Sequence, residues 1–107
     1  MIIRGIMMDS LLRTDYITDD TRKFHDLINV YPRFAAFWDG EKMDLNVRKL
    51  NTAITTMSHG EQIMAQFFVS LWLGSNGNHF DIFDAAAVLD KNELIAIAKW
   101  LADPFLP

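Results

Sequence analysis

Between Ile63 and Leu73 the chain is apolar at every position except Gln66 and Ser70, and with Gln62 these polar residues fall four apart on one narrow line. A helix that is apolar on nearly every other face has to be enclosed by the rest of the protein or by a partner. Ser58 precedes this run and Glu61 stands three residues further on, the spacing of a capping box. Gly74 follows the run and tolerates the left-handed turn that closes many helices. The pattern predicts a central helix from about His59 to Leu73, with Phe67, Phe68, Leu71 and Trp72 in the core.

Shorter patterns flank it. Thr18-Asp19-Asp20-Thr21 offers caps and acidic residues where a helix dipole favours them, and Phe24, Leu27, Ile28 and Tyr31 recur at helical spacing behind them. Pro32 stops that helix and can start another, because the residue before proline avoids helical angles while proline suits the first helical position. Phe34, Ala35, Phe37 and Trp38 then read as a short aromatic turn ending at Asp39-Gly40. Val47, Leu50, Ile54 and Met57 predict a helix capped by Asp44 or Asn46. Its Thr52, Thr55 and Thr56 would also suit a strand, but no second strand-like run is present to pair with it.

Gly74-Ser75-Asn76-Gly77-Asn78 is the clearest loop. Phe80 or Asp81 opens a short helix carrying Ile82, Phe83, Ala86 and Val88. Asp90 and Glu93 repeat the capping-box spacing, and the last helix is expected to turn Leu94, Ile95, Ile97, Ala98 and Leu101 inward before Asp103-Pro104 ends it. Residues 1–17 are ambiguous: Ile2, Ile3, Ile6, Met7, Leu11 and Leu12 could line a short helix or an ordered arm, and Met7 and Met8 are alternative starts. The expected fold is all-α, a single compact domain of five or six short helices around the central one.

Composition narrows the function more by exclusion than by indication. The chain of 107 residues is one domain long, with half its residues apolar and no cysteine, so no disulfide and no thiolate ligand or nucleophile is available. The net charge of −4 lies entirely in residues 58–107, where two lysines face six acids; residues 1–57 balance eight against eight. With no basic cluster, direct nucleic-acid binding is not expected. No stretch reads as a membrane span or a cleavable leader, so a cytoplasmic protein without a membrane role is expected.

Candidate chemistry is sparse. His25, His59 and His79 lack a helical ligand spacing, so a metal-dependent hydrolase built on them is only a competing reading. Asn76, Asn78, Asp81 and Asp84 have the composition of a calcium loop without its frame. Met57-Ser58-His59-Gly60-Glu61-Gln62 resembles the signature motif of ABC-type ATPases, yet no phosphate-binding loop accompanies it, and helix capping explains Ser58 and Glu61. No catalytic residue, metal or cofactor is expected.

Ser58, Gly60, Glu61, Leu71, Trp72, Gly74, Leu89, Asp90 and Asn92 together resemble positions in small uncharacterised helical proteins of bacterial prophages and mobile elements, over about residues 44–102. The resemblance implies a helical fold and an accessory protein of bacterial or phage origin that acts by binding others. It carries over no functional residue.

The expected function is therefore a small acidic, non-catalytic protein-interaction module. Tyr31, Phe34, Phe37 and Trp38 form its candidate aromatic patch, unless they only cap the core. Asp81, Asp84, Asp90 and Glu93 form its candidate acidic patch. A sharper version is an inhibitor that places these carboxylates in the basic groove of a host nucleic-acid-binding defence complex. The abundance of apolar bulk also suggests a homodimer, with Ile2, Ile3, Ile6, Met7 and Leu11 the expected contact.

Overall fold

A computed structural model describes residues 18–107. Residues 1–17, including the expected dimerisation contact, lie outside the described residues. The fold is all-α. Helices α1 (Asp19–Ile28), α2 (Pro32–Ala35), α3 (Val47–Ile54), α4 (His59–Leu73), α5 (Ile82–Val88) and α6 (Lys91–Ala102) follow in order.

Helix α4 is the centre. The Ser58 hydroxyl accepts from the Glu61 amide at 3.3 Å, and the Glu61 carboxylate accepts from the Ser58 amide at 3.0 Å, which closes the capping box. At the other end Gly74 sits at φ 67° and satisfies carbonyls of the last turn. Between these caps Ile63, Met64, Ala65, Phe67, Phe68, Val69 and Leu71 are buried. Trp72, expected in the core, is half-buried at its edge and packs on Phe24 and Trp38 with ring centres 5.3 and 5.4 Å away. Phe68 is fully buried and meets Phe24, Tyr31, Phe34 and Phe67 with ring centres 5.4–6.0 Å apart.

The polar line of α4 has its own uses. The Gln62 side-chain amide donates to the carbonyls of Ile54 and Met57, tying the end of α3 to the start of α4. The Ser70 hydroxyl is buried without a partner among the described residues.

Two features depart from the sequence reading. After α2 the chain makes a small hairpin, β1 (Trp38–Asp39) with β2 (Asp44–Leu45), pairing Trp38 with Leu45 and Asp39 with Asp44. No strand periodicity can mark elements of two residues. The turn is instead held by Asp39, whose Oδ1 accepts from the amides of Glu41 and Lys42 at 3.0 Å. Those hydrogen bonds, chiefly the one from Lys42, favour the charged carboxylate and lower its pKa.

The last helix is rotated from its expected setting. Ile97 is buried and Leu94 half-buried, but Ile95, Ala98 and Leu101 face outward. Trp100 decides the rotation: its ring stands edge-on to Phe67 at 5.9 Å, and its indole N–H reaches the Phe105 carbonyl at 2.8 Å. A half-buried indole needs both a packed face and a partner for its N–H, and this orientation supplies both.

Helix α5 buries Ala85, with Leu89 just beyond it, and exposes Ile82, Phe83, Ala86 and Val88.

Candidate functional site

The aromatic segment 31–38 does not present the surface expected of it. Phe34 and Trp38 are core residues, 3 % and 9 % exposed, while Tyr31 and Phe37 are half-buried against them. The Trp38 indole N–H donates to His25 Nδ1 at 2.8 Å. The segment caps the core: Trp38 packs between Phe24 of α1 and Trp72 of α4, and Tyr31 and Phe34 pack on Phe68 of α4.

The four candidate carboxylates fall into two pairs at successive helix starts. Asp81 caps α5, accepting from the amides of Phe83 and Asp84 at 2.8 and 3.1 Å. Asp84 leaves α5 to meet His59 of α4, with 2.9 Å between Oδ2 and Nε2, a solvent-open pair that fastens the two helices. Asp90 and Glu93 form the second capping box, at the start of α6.

The histidines are separately employed. His25 bonds to Trp38, His59 to Asp84, and His79 holds a left-handed loop conformation at φ 60°. Among the described residues, no group of three or more His, Cys, Asp or Glu side chains could hold a metal ion. Likewise, no helix among them is long and apolar enough to cross a membrane.

Two surface features were not foreseen. The first is the outer face of α5. At 3.6 residues per turn Ile82, Phe83, Ala86 and Ala87 share one side of the helix, and all four are exposed. Phe83 is 83 % exposed, the most open of the large apolar side chains described. The signal was present in the sequence: Ile82 to Val88 holds one polar residue, Asp84, and a seven-residue helix lying on a surface buries only one side. The fold turns the Ala85 and Leu89 side inward, where Leu89 and Val88 approach Gly60 of α4.

The second is a groove of about 430 Å³ between α1 and α6. The helices run antiparallel along it. Tyr31, after α1, lies near Asp90 and Glu93 at the start of α6, and Leu106, after α6, donates its amide to Asp20 at the start of α1. Leu27, Ile95, Trp100 and Phe105 supply its apolar lining, Lys23 and Lys99 rise from facing helices, and Tyr31 and Asn92 mark the far end. Partial burial raises the Tyr31 hydroxyl pKa, and the nearby Glu93 and Asp90 add to the shift. Of the aromatic and acidic residues singled out in the sequence, Tyr31, Asp90 and Glu93 are thus brought together.

No protein-family model, no characterised protein and no solved structure matches this chain.

Proposed function

We propose that this chain is a small protein-interaction module whose docking surface is the outer face of α5, with Phe83 as its anchor. The observation that carries the reading is the exposure of Phe83 on a helix side that has no polar residue. Scattered exposed apolar side chains are ordinary, but an aromatic ring held out beside Ile82, Ala86 and Ala87 is a contiguous patch of the kind partners cover. Aromatic anchors surrounded by smaller contacts dominate the energy of most protein interfaces. The capped start of α5 and the His59–Asp84 link hold the face in place before binding, which lowers the entropy lost on association. The resemblance of residues 44–102 to prophage and mobile-element proteins favours an accessory role of this kind.

The test is a quantitative pull-down from the source organism with three baits: the native chain, Phe83→Glu and Leu101→Glu. Leu101 is also well exposed, at 55 %, and stands on α6 as the control. A protein enriched by the native chain and by Leu101→Glu, but lost with Phe83→Glu, is the expected result. Partners retained by the Phe83→Glu bait would sink the reading.

A further inference from the structure

We infer that the partner of the α5 face is a basic amphipathic helix of another protein, its apolar side on Phe83, Ala86 and Ala87 and its cations against Asp81 and Asp84. This rests on the docking role of α5 proposed above and names the chemistry of the occupant.

The apolar face has an acidic border that the fold holds in place. Asp81 Oδ1 accepts from the amides of Phe83 and Asp84 at 2.8 and 3.1 Å, so its carboxylate stands at the start of α5 beside the aromatic anchor. Asp81 is exposed, and its Oδ2 has no hydrogen-bond partner among the described residues. Asp84 follows Phe83 and borders the face on the side toward α4, where its Oδ2 meets His59 Nε2 at 2.9 Å.

No lysine or arginine pairs with this border. Helix α4, against which α5 packs, has neither residue, and neither occurs anywhere between Lys49 and Lys91. Among the described residues Asp81 has no ion pair, and Asp84 has only His59. At the far end of α5 the charges balance: Arg33 lies 3.6 Å from Glu61, and Lys91 follows Asp90 at the start of α6. The excess negative charge is therefore at the start of α5, next to Phe83.

Charge selects among occupants. A second copy would bring another acidic border to the first, and an anionic lipid surface would be repelled in the same way. A helix with lysine or arginine flanking an apolar stripe gains at both the ring and the border. Its shape also fits: α5 rises roughly 10 Å over its length, at 1.5 Å per residue, and Ala86 and Ala87 leave room beside Phe83 for a second helix to lie close.

The probes are three synthetic amphipathic helical peptides with the same leucine stripe and with lysine, glutamine or glutamate on the polar side. Each is titrated into the isotope-labelled full chain and followed by two-dimensional amide NMR, at a mildly alkaline pH where an ordinary imidazole is uncharged. The lysine peptide is expected to bind most tightly and the glutamate peptide most weakly, with shifts centred on Phe83, Ala86 and Ala87. Asp81→Asn with Asp84→Asn keeps a capping side chain at the start of α5 and removes both charges. That double variant is expected to bind the lysine peptide about tenfold more weakly in low salt, to converge on the native chain in high salt, and to leave the glutamine peptide unchanged. Phe83→Ser is expected to weaken the lysine and glutamine peptides alike. Glutamine and lysine peptides binding equally on α5 would overturn the basic partner and leave the docking face standing. Binding unaffected by Phe83→Ser, shifts confined to other helices, or no binding at all would overturn both. Shifts on α5 that grow with the concentration of the chain alone would assign the face to a second copy and overturn the inference.

Discussion

The indole N–H of Trp38 and the Nδ1 atom of His25 lie 2.8 Å apart, joining the hairpin strand β1 to helix α1 at the edge of the core. For Nδ1 to accept, the neutral imidazole must carry its proton on Nε2. The backbone at Gly40 packs closely on the same ring: a Cβ there would stand 3.4 Å from His25 Cε1. Removing the acceptor leaves a largely buried donor without a partner. His25→Ala is expected to lower stability by about 1–3 kcal/mol in urea denaturation, a cost set by desolvating the orphaned N–H. Combining it with Trp38→Phe, which deletes the donor, should cost less than the sum of the single changes.

Phe68 supports the core from its middle. It is fully buried and packs against four other aromatic rings drawn from α1, α4 and the segment 31–34. Phe68→Ala is expected to cost about 3–5 kcal/mol, since truncating a buried aromatic leaves a cavity its rigid neighbours cannot fill. A variant as stable as the native chain would contradict the central placement of α4.

The two ends of α4 give separable effects. Ser58→Ala should destabilise by about 0.5–2 kcal/mol and Ser58→Gly by much less, because glycine is tolerated at that position without its side chain. At the far end, Gly74→Ala should cost about 1–2 kcal/mol for a left-handed conformation that an L-residue resists. No atom lies within 4 Å of the added methyl, so that cost is conformational and not steric.

Glu61 links the same cap to pH. Its pKa is lowered in the folded chain, first by the hydrogen bond from the Ser58 amide and then by the Arg33 guanidinium at 3.6 Å. A depressed carboxylate pKa contributes stability that is complete above the unfolded-state value and is lost as pH falls through the folded-state value. Acid titration of thermal stability should therefore show a decline below the ordinary carboxylate range, smaller in Glu61→Gln. An unchanged acid limb in that variant would place the decline elsewhere.

Phe83 should behave in the opposite way to Phe68. Phe83→Ser removes exposed surface and is expected to shift stability by no more than about 0.5 kcal/mol. A large loss of stability would mean that the ring is covered in the native protein.

The central helix, its bounds, both capping boxes and the all-α class were legible in the sequence because they depend on local chemistry. Ser58, Glu61, Asp90 and Glu93 act on amides three residues away, and Gly74 acts through its own backbone angle. The apolar run of α4 also announced its burial, since such a surface has no other stable setting. What the sequence left open was the setting of elements whose apolar residues exceed one face. In α6, Ile95 and Leu101 competed with Ile97 and Trp100 for the inside, and the partner for the Trp100 N–H on Phe105 settled it. In α5, the side holding Ala85 won and left Phe83 outside, with Leu89 and Val88 seated against Gly60 of α4. The aromatic segment 31–38 was ambiguous for the same reason, and His25 drew Trp38 inward. Lys23 and Lys99 are 76 positions apart in the chain, so only the antiparallel packing of α1 and α6 could place them on one groove. Local hydrogen bonds are written in neighbouring residues; which of several apolar faces is buried depends on what every other helix offers to cover it.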